Sequence, residues 1–354
     1  MDFPSLHIGE LCARVPIAVV GTGRSDYPNQ INNVAGAVAK AGGIGVISAA
    51  QPGYQEEDFF RNSYGANERA LAKHLARARE IAPDGVIGVN VMCRGHHYAE
   101  YVKCAVKNGA DIIFSGAGLP KTLPSLVEGT KTKIAPIISS AKAASVLLHL
   151  WERHHHRTAD AVVIEGPKAG GHLGYTREEV AMWGNGGYEE QIGDILKVVH
   201  SYEEKFKKKI PVIFGGGVFD KADISHYLSL GLAGVQMATR FVATKECDAA
   251  DAFKQMYVNA RKDDITLVNS PVHMTGRAIR NAFVTRAEKG RIPPDHCFNC
   301  LKTCNPATTP YCITMALIRA VKGDVDNALI FCGANAWKIN EITTVPALIH
   351  ELTE

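Results

Sequence analysis

One histidine, His172, stands among Gly166, Gly170, Gly171 and Gly174 in the stretch D-A-V-V-I-E-G-P-K-A-G-G-H-L-G-Y from Asp160 to Tyr175. An imidazole offers a base near neutral pH. Glycines let backbone N–H groups approach a ligand closely, because no Cβ stands in the way. Taken alone, the stretch reads equally well as a flexible turn with an exposed histidine. Two later runs shift that balance: P-V-I-F-G-G-G-V at Pro211 to Val218 and G-V-Q-M-A-T-R-F at Gly234 to Phe241. Each reads as a buried strand ending in small or polar residues, the pattern with which a (β/α)8 barrel binds phosphate after its last two strands. A third group is C-F-N-C-L-K-T-C at Cys297 to Cys304, with Cys312 downstream. Cys-x-x-Cys has metal-ligand reach, so Cys297, Cys300, Cys304 and Cys312 are candidate ligands for zinc or an iron–sulfur cluster, with His296 beside them. The spacing matches neither the common ferredoxin run nor a second Cys-x-x-Cys, and reduced thiols are the alternative. His154, His155 and His156 are consecutive and point in different directions, which argues against a metal site there.

The elements that must position these residues alternate along the chain. Expected strands are Pro16 to Val20, Ile44 to Ser48, Val86 to Val91, Ile112 to Phe114, Ile134 to Ser139, Ala161 to Ile164, Val212 to Phe214 and Val235 to Met237. Helical segments fall between them: Val34 to Ala41, Ala66 to Ile81, Tyr98 to Lys107, Thr122 to Gly129, Ala141 to Arg153, Glu189 to Lys205 and Lys221 to Leu230. Eight strands in alternation with helices give an α/β fold of the (β/α)8 TIM-barrel class. A doubly wound sheet is disfavoured, because G-T-G-R-S-D at Gly21 to Asp26 lacks the third glycine of a dinucleotide fingerprint and no helix follows at once. Beyond Asp248 the alternation stops. Ala249 to Arg261 reads as helix, Asp264 to Pro310 as irregular chain, and Ile313 to Val321 and Pro346 to Leu352 as helices.

The motifs E-G-x-x-A-G-G-H-x-G, P-V-I-x-x-G-G and G-V-Q-M-x-T-R-F, in this order and spacing, resemble those of the nitronate monooxygenase (2-nitropropane dioxygenase) family. The flavin-dependent enoyl-ACP reductases share that superfamily. G-V-N-V-M at Gly88 to Met92 and S-G-A-G-L-P at Ser115 to Pro120 match as well. The resemblance implies a barrel over residues 1–247, an inserted lid or substrate domain with the cysteine cluster over 248–312, and C-terminal helices over 313–354 that pack back on the barrel. It also implies FMN. Gly215, Gly216, Gly217, Met237, Ala238 and Thr239 would then hold the cofactor, with Gly170 and Gly171 approaching from the sixth-strand loop. Asn90 would meet the polar edge of the ring. Gly21 and Thr22 would touch the ring too, together with Gly23. The run V-V-G-T-G-R-S-D-Y-P-N-Q that contains them is longer and more polar than the family's, and Arg24 or Asp26 near the flavin would alter its electronics.

His172 is the expected catalytic residue for either activity. In nitronate oxidation with O2, the leading expectation, it would orient an alkyl nitronate or take a proton from a nitroalkane. In NAD(P)H-dependent reduction of an enoyl-ACP or other enoyl thioester, the alternative, it would polarise the thioester carbonyl. A non-catalytic flavin-binding partner protein is a further alternative. N-S-P-V-H-M-T-G-R-A-I-R-N at Asn269 to Asn281 resembles the lid of the reductase branch, where Arg277 and Arg280 would meet phosphates of NAD(P)H, CoA or acyl carrier protein. The competing reading of that run is a basic helix.

Bulk composition narrows the classes. The chain has 354 residues, 46% hydrophobic and 21% charged, enough for a sizeable core. A net charge of +3 with interspersed signs gives no nucleic-acid footprint and no polybasic membrane anchor. No apolar run reaches the roughly 18 residues of a membrane span, and the N-terminus lacks a signal-peptide pattern. A cytoplasmic protein is expected, acting on a small-molecule or acyl-thioester substrate, with a homodimer as the candidate assembly.

Overall fold

The computed structural model describes residues 3–20, 33–184 and 186–354. Strands occur in the order β1 (Leu6–Ile8), β2 (Leu11–Ala13), β3 (Ile17–Val20), β4 (Ile44–Ser48), β5 (Val86–Met92), β6 (Ile112–Gly116), β7 (Lys133–Ile138), β8 (Val162–Glu165), β9 (Gly171–Leu173), β10 (Val212–Gly215), β11 (Gly234–Met237), β12 (Ile265–Asn269) and β13 (Thr275–Ile279). Strands β10, β11, β3, β4, β5, β6, β7 and β8 close, in that order, into a parallel barrel. The fold is a (β/α)8 TIM barrel.

The apolar strand runs form a barrel because both faces are covered. Inward side chains, among them Ala18, Val46, Phe114, Ala135, Val163 and Ile213, make one buried layer. The β1–β2 hairpin, which the sequence reading does not anticipate, adds Leu6, Ile8 and Ala13 to that layer. Outward side chains meet the helices. Gly45 shows how close this contact is: a Cβ there would lie 1.8 Å from the carbonyl oxygen of Ala35 on the helix Val34–Ala41. Helix starts follow from side-chain caps, with Asn33, Asn62 and Ser140 each accepting from a backbone N–H three residues on. Asp220 and Asp223 form a reciprocal capping box before Lys221–Ser229. Among the described residues no helix is long and apolar enough to cross a membrane.

The region from Asp264 to Pro310 departs from the irregular chain expected of it. It contains β12, β13 and the helix Ala282–Lys289. Each strand is only five residues long, β12 part-buried and β13 mostly buried, which leaves no alternation long enough to stand out in sequence. Asn269 to Asn281 is accordingly a β-hairpin arm ending at a helix cap, not a basic helix. The hairpin pairs with β9, so β12, β13 and β9 form a separate antiparallel sheet at the barrel mouth. His172, expected in an open loop, is thereby a strand residue opposite Gly276.

Candidate active site

The C-terminal ends of the barrel strands open into a cavity of about 330 Å³. Its wall brings together Asn90, Gly170, Gly171, His172, Gly215, Gly216, Gly217, Met237, Ala238 and Thr239, residues spread over some 150 positions of chain. Gly21 and Thr22, with Gly23, Arg24 and Asp26, lie outside the described residues.

Gly216 and Gly170 leave no room for a side chain. Gly216 has φ +137°, and a Cβ would sit 3.0 Å from the carbonyl oxygen of Gly166. A Cβ on Gly170 would lie 2.5 Å from the carbonyl carbon of Cys332. The N–H groups of Gly216 and Gly217 have no hydrogen-bond acceptor among the described residues. Paired donors of that kind on a cavity wall suit an anion such as phosphate. Lys168 lines the same wall and makes no ion pair with a described residue. A cradle of this shape and donor chemistry fits the phosphate of a mononucleotide.

Several wall residues escaped the sequence reading. Phe331, Cys332, Gly333 and Asn335 come from the C-terminal segment. Asn335 donates from Nδ2 to the Gly217 carbonyl at 2.5 Å, Gly333 N–H donates to Thr239 Oγ1 at 2.9 Å, and Ala334 N–H donates to the Lys168 carbonyl at 3.1 Å. This segment ties together the loops after β8, β10 and β11. The dipeptides Gly-Ala and Asn-Ala at 333–336 were the only local signal, and such pairs are common in turns.

His172 Nε2 lies 2.7 Å from Ser270 Oγ on the turn of the β12–β13 hairpin. Its ring meets Phe331 edge-on at 4.9 Å. Burial first, and the positive charge of Arg94 second, hold its pKa down to about 4. The imidazole is therefore neutral through the physiological range, able to accept a proton at one nitrogen or donate from the other.

Arg277 is buried and donates to the carbonyls of Pro167, at 2.9 Å, and Ala169. The expectation that it meets a co-substrate phosphate is not met. Its guanidinium is spent on two carbonyls that the tight turn after β8 leaves without strand partners. Arg280 pairs with Glu288 at 2.7 Å on the exposed side of the hairpin, away from the cavity wall.

Glu165 ends β8 and lines the cavity. Its carboxylate accepts from Gly174 N–H at 2.7 Å, and Tyr175 and Tyr188 donate their hydroxyls to its backbone carbonyl. Burial pushes its pKa up to about 7, against opposing pulls from the Gly174 N–H and Arg277. The folded protein thus keeps this proton after the unfolded chain has lost it near 4.5. Stability must fall as pH rises from 4.5 to about 7 and then level off. Glu165→Gln should remove that fall, a difference of at most about 3 kcal/mol at pH 8. Urea unfolding of cofactor-free protein between pH 4 and 8 measures it. Parallel pH profiles for the two proteins would show that Glu165 is ionised in the folded state.

The cysteines do not form the metal site considered from their spacing. Among the described residues no group of three or more His, Cys, Asp or Glu side chains is placed to hold a metal ion. Cys297, Cys300, Cys304 and Cys312 border a separate cavity of about 220 Å³, all as free thiols. Burial pushes the Cys300 thiol up to about 11 and also raises that of Cys312, so both are protonated in the metal-free protein. Cys297 is exposed, and His296 packs its ring on Phe298 at 4.6 Å. Cys300 and Cys312 pack against the cluster of Tyr54, Phe59 and Ile318.

Known proteins resemble the chain along most of its length. A probable nitronate monooxygenase of Staphylococcus aureus (strain JH9) is 24% identical over a 309-residue alignment that covers 80% of this chain and 81% of that protein. A (3aS,4S,5R,7aS)-5-hydroxy-7a-methyl-1-oxo-octahydro-1H-indene-4-carboxyl-CoA dehydrogenase of Mycobacterium tuberculosis (strain ATCC 25618 / H37Rv) is 24% identical over 72% of this chain, and the match spans only 61% of that protein's length. In structure, FabK from Thermotoga maritima superposes with a TM-score of 0.70 at 24% identity, over 96% of this chain and 91% of its own. Nitroalkane oxidase from Streptomyces ansochromogenes gives 0.66 at 17% identity, over 96% and 94%. The model of the family described as nitronate monooxygenase matches residues 29–354, and with it the chain belongs to the nitronate monooxygenase family of oxidoreductases.

Proposed function

We propose that the protein is an FMN-dependent oxidoreductase that oxidises alkyl nitronates with O2. The observation that carries this reading is the cavity itself, with an unpaired glycine cradle at Gly216 and Gly217 and a neutral His172 on one wall. Gly215, Gly216, Gly217, Ala238 and Thr239 would hold the phosphate, with Gly170 covering it and Asn90 and Met237 bordering the ring. When bound, FMN supplies the electron acceptor that no side chain provides. His172 orients the substrate through one imidazole nitrogen while Ser270 holds the other. Being neutral, it can also take the α-proton of a neutral nitroalkane. Residues 248–312 would serve as the lid, since their hairpin carries the strand partner of His172.

An anaerobic visible spectrum tests this. The purified protein should show a bound flavin that bleaches on adding propyl-1-nitronate without any pyridine nucleotide. Bleaching by NADH or NADPH and not by nitronate would replace this reading with enoyl-thioester reduction. A protein that neither carries nor takes up FMN would leave only a binding role.

A further inference from the structure

We propose that Phe331 sets the length of carbon chain this site accepts, its ring closing the His172 cavity off from a second, apolar cavity behind it. The inference rests on the nitronate reading for the reacting group and goes beyond it in naming what selects the rest of the substrate.

The second cavity has a volume of about 390 Å³. Val46, Ile47, Leu317, Ile318 and Leu329 give it apolar walls. That size and lining fall in the range of small-ligand sites. Two residues, Tyr257 and Phe331, border both this cavity and the one that holds His172. Tyr257 is buried, and its hydroxyl is spent on the Phe331 carbonyl at 2.5 Å. Phe331 is only half-buried, as suits a side chain with free space on two sides.

The main chain fixes where that side chain stands. Phe331 forms a β-bridge with Ala278 of β13. On one side of it Ile279 N–H donates to the Ile330 carbonyl at 2.8 Å, and on the other Cys332 N–H donates to the Arg277 carbonyl at 3.1 Å. The ring packs on Gly276, where a Cβ would come within 3.0 Å of Phe331 Cε1. It meets the His172 ring edge-on at 4.9 Å. Gly276 and His172 are register partners in the β13–β9 pair, so the ring lies across that pair, over the glycine and against the imidazole. A phenyl ring offers apolar surface to a hydrocarbon chain and no hydrogen bond to a charged head group. A substrate whose head group is held by His172 therefore has an apolar wall beside it, and a chain that outgrows the wall is stopped by the ring. Shortening residue 331 removes that stop and opens the apolar cavity to the chain.

The test compares butyrate and octanoate, unreactive planar anions shaped like propyl-1-nitronate and heptyl-1-nitronate. Binding to FMN-loaded protein is read from the flavin difference spectrum, which reports only ligand beside the flavin. The native protein should bind octanoate no more tightly than butyrate. Phe331→Ala should bind octanoate at least about tenfold more tightly than butyrate, since each methylene that enters an apolar cavity is worth up to roughly fourfold. Phe331→Leu should shift the preference the same way by less, and decides the matter if the alanine variant does not fold. The ratio of kcat/KM for heptyl-1-nitronate to that for propyl-1-nitronate should rise in the same order. A residue that only supports the fold would weaken both ligands alike, and that result in the variants overturns the proposal. A native protein that already prefers octanoate tenfold overturns it whatever the variants do. If neither nitronate is oxidised while the octanoate preference still appears on shortening Phe331, the chain-length selector stands and the nitronate reading falls.

Discussion

Gly216→Val should give a folded protein that cannot hold FMN. A Cβ at this position approaches the Gly166 carbonyl at 3.0 Å and the Ala169 nitrogen at 3.1 Å, both backbone atoms that cannot rotate aside. The φ of +137° is one that a β-branched residue adopts only under strain, at a cost of about 1–3 kcal/mol. The loop must therefore move, and with it the N–H groups of Gly216 and Gly217. Two hydrogen bonds to a charged phosphate at roughly 1.5 kcal/mol each amount to about a hundredfold in affinity. Flavin absorbance of the purified variant, then titration with added FMN, measures this, with circular dichroism as the check on folding. Normal FMN content in Gly216→Val would remove the β10 loop from the cofactor site.

The second large effect is expected at His172. His172→Ala should keep its FMN, because the histidine sits on the lid-side strand β9 and the phosphate cradle lies at β10 and β11. Turnover should fall by about 10²–10⁴, the usual range for losing a positioned acid or base. The native enzyme's pH profile adds a second reading. With a folded pKa held near 4 by burial and by Arg94, His172 gives no inflection of kcat/KM between pH 5 and 8. The stability linked to its burial as a neutral ring is fully present above 6.5, its unfolded value, and is lost as pH falls through about 4. Full activity in His172→Ala would take the imidazole out of the chemistry. A kcat/KM inflection near 6.5 that disappears in that variant would mean that the bound cofactor opens the site to water.

The sequence by itself determined the barrel and the floor of the site. Short apolar runs such as Ala161 to Ile164 and Val212 to Phe214 can be satisfied only by burial on both faces, and eight of them alternating with helices leave little choice of architecture. Gly216, just after the Val212 to Phe214 run, sits where the Gly166 and Ala169 backbones leave no room for a Cβ, a constraint local enough to be read from the residue type. What the tertiary structure alone decided is everything that reaches the site from a distance. Ser270 meets His172 across 98 positions, and Arg94 meets Val272 across 178. Arg277, expected to face a ligand, faces the Pro167 and Ala169 carbonyls, because a buried guanidinium goes where unpaired acceptors are densest. The four cysteines, spaced like ligands in one dimension, border one cavity as free thiols in three. Spacing fixes which residues lie near each other along a segment, whereas burial and the direction of each side chain, set by the packing of separate segments, decide what those residues do.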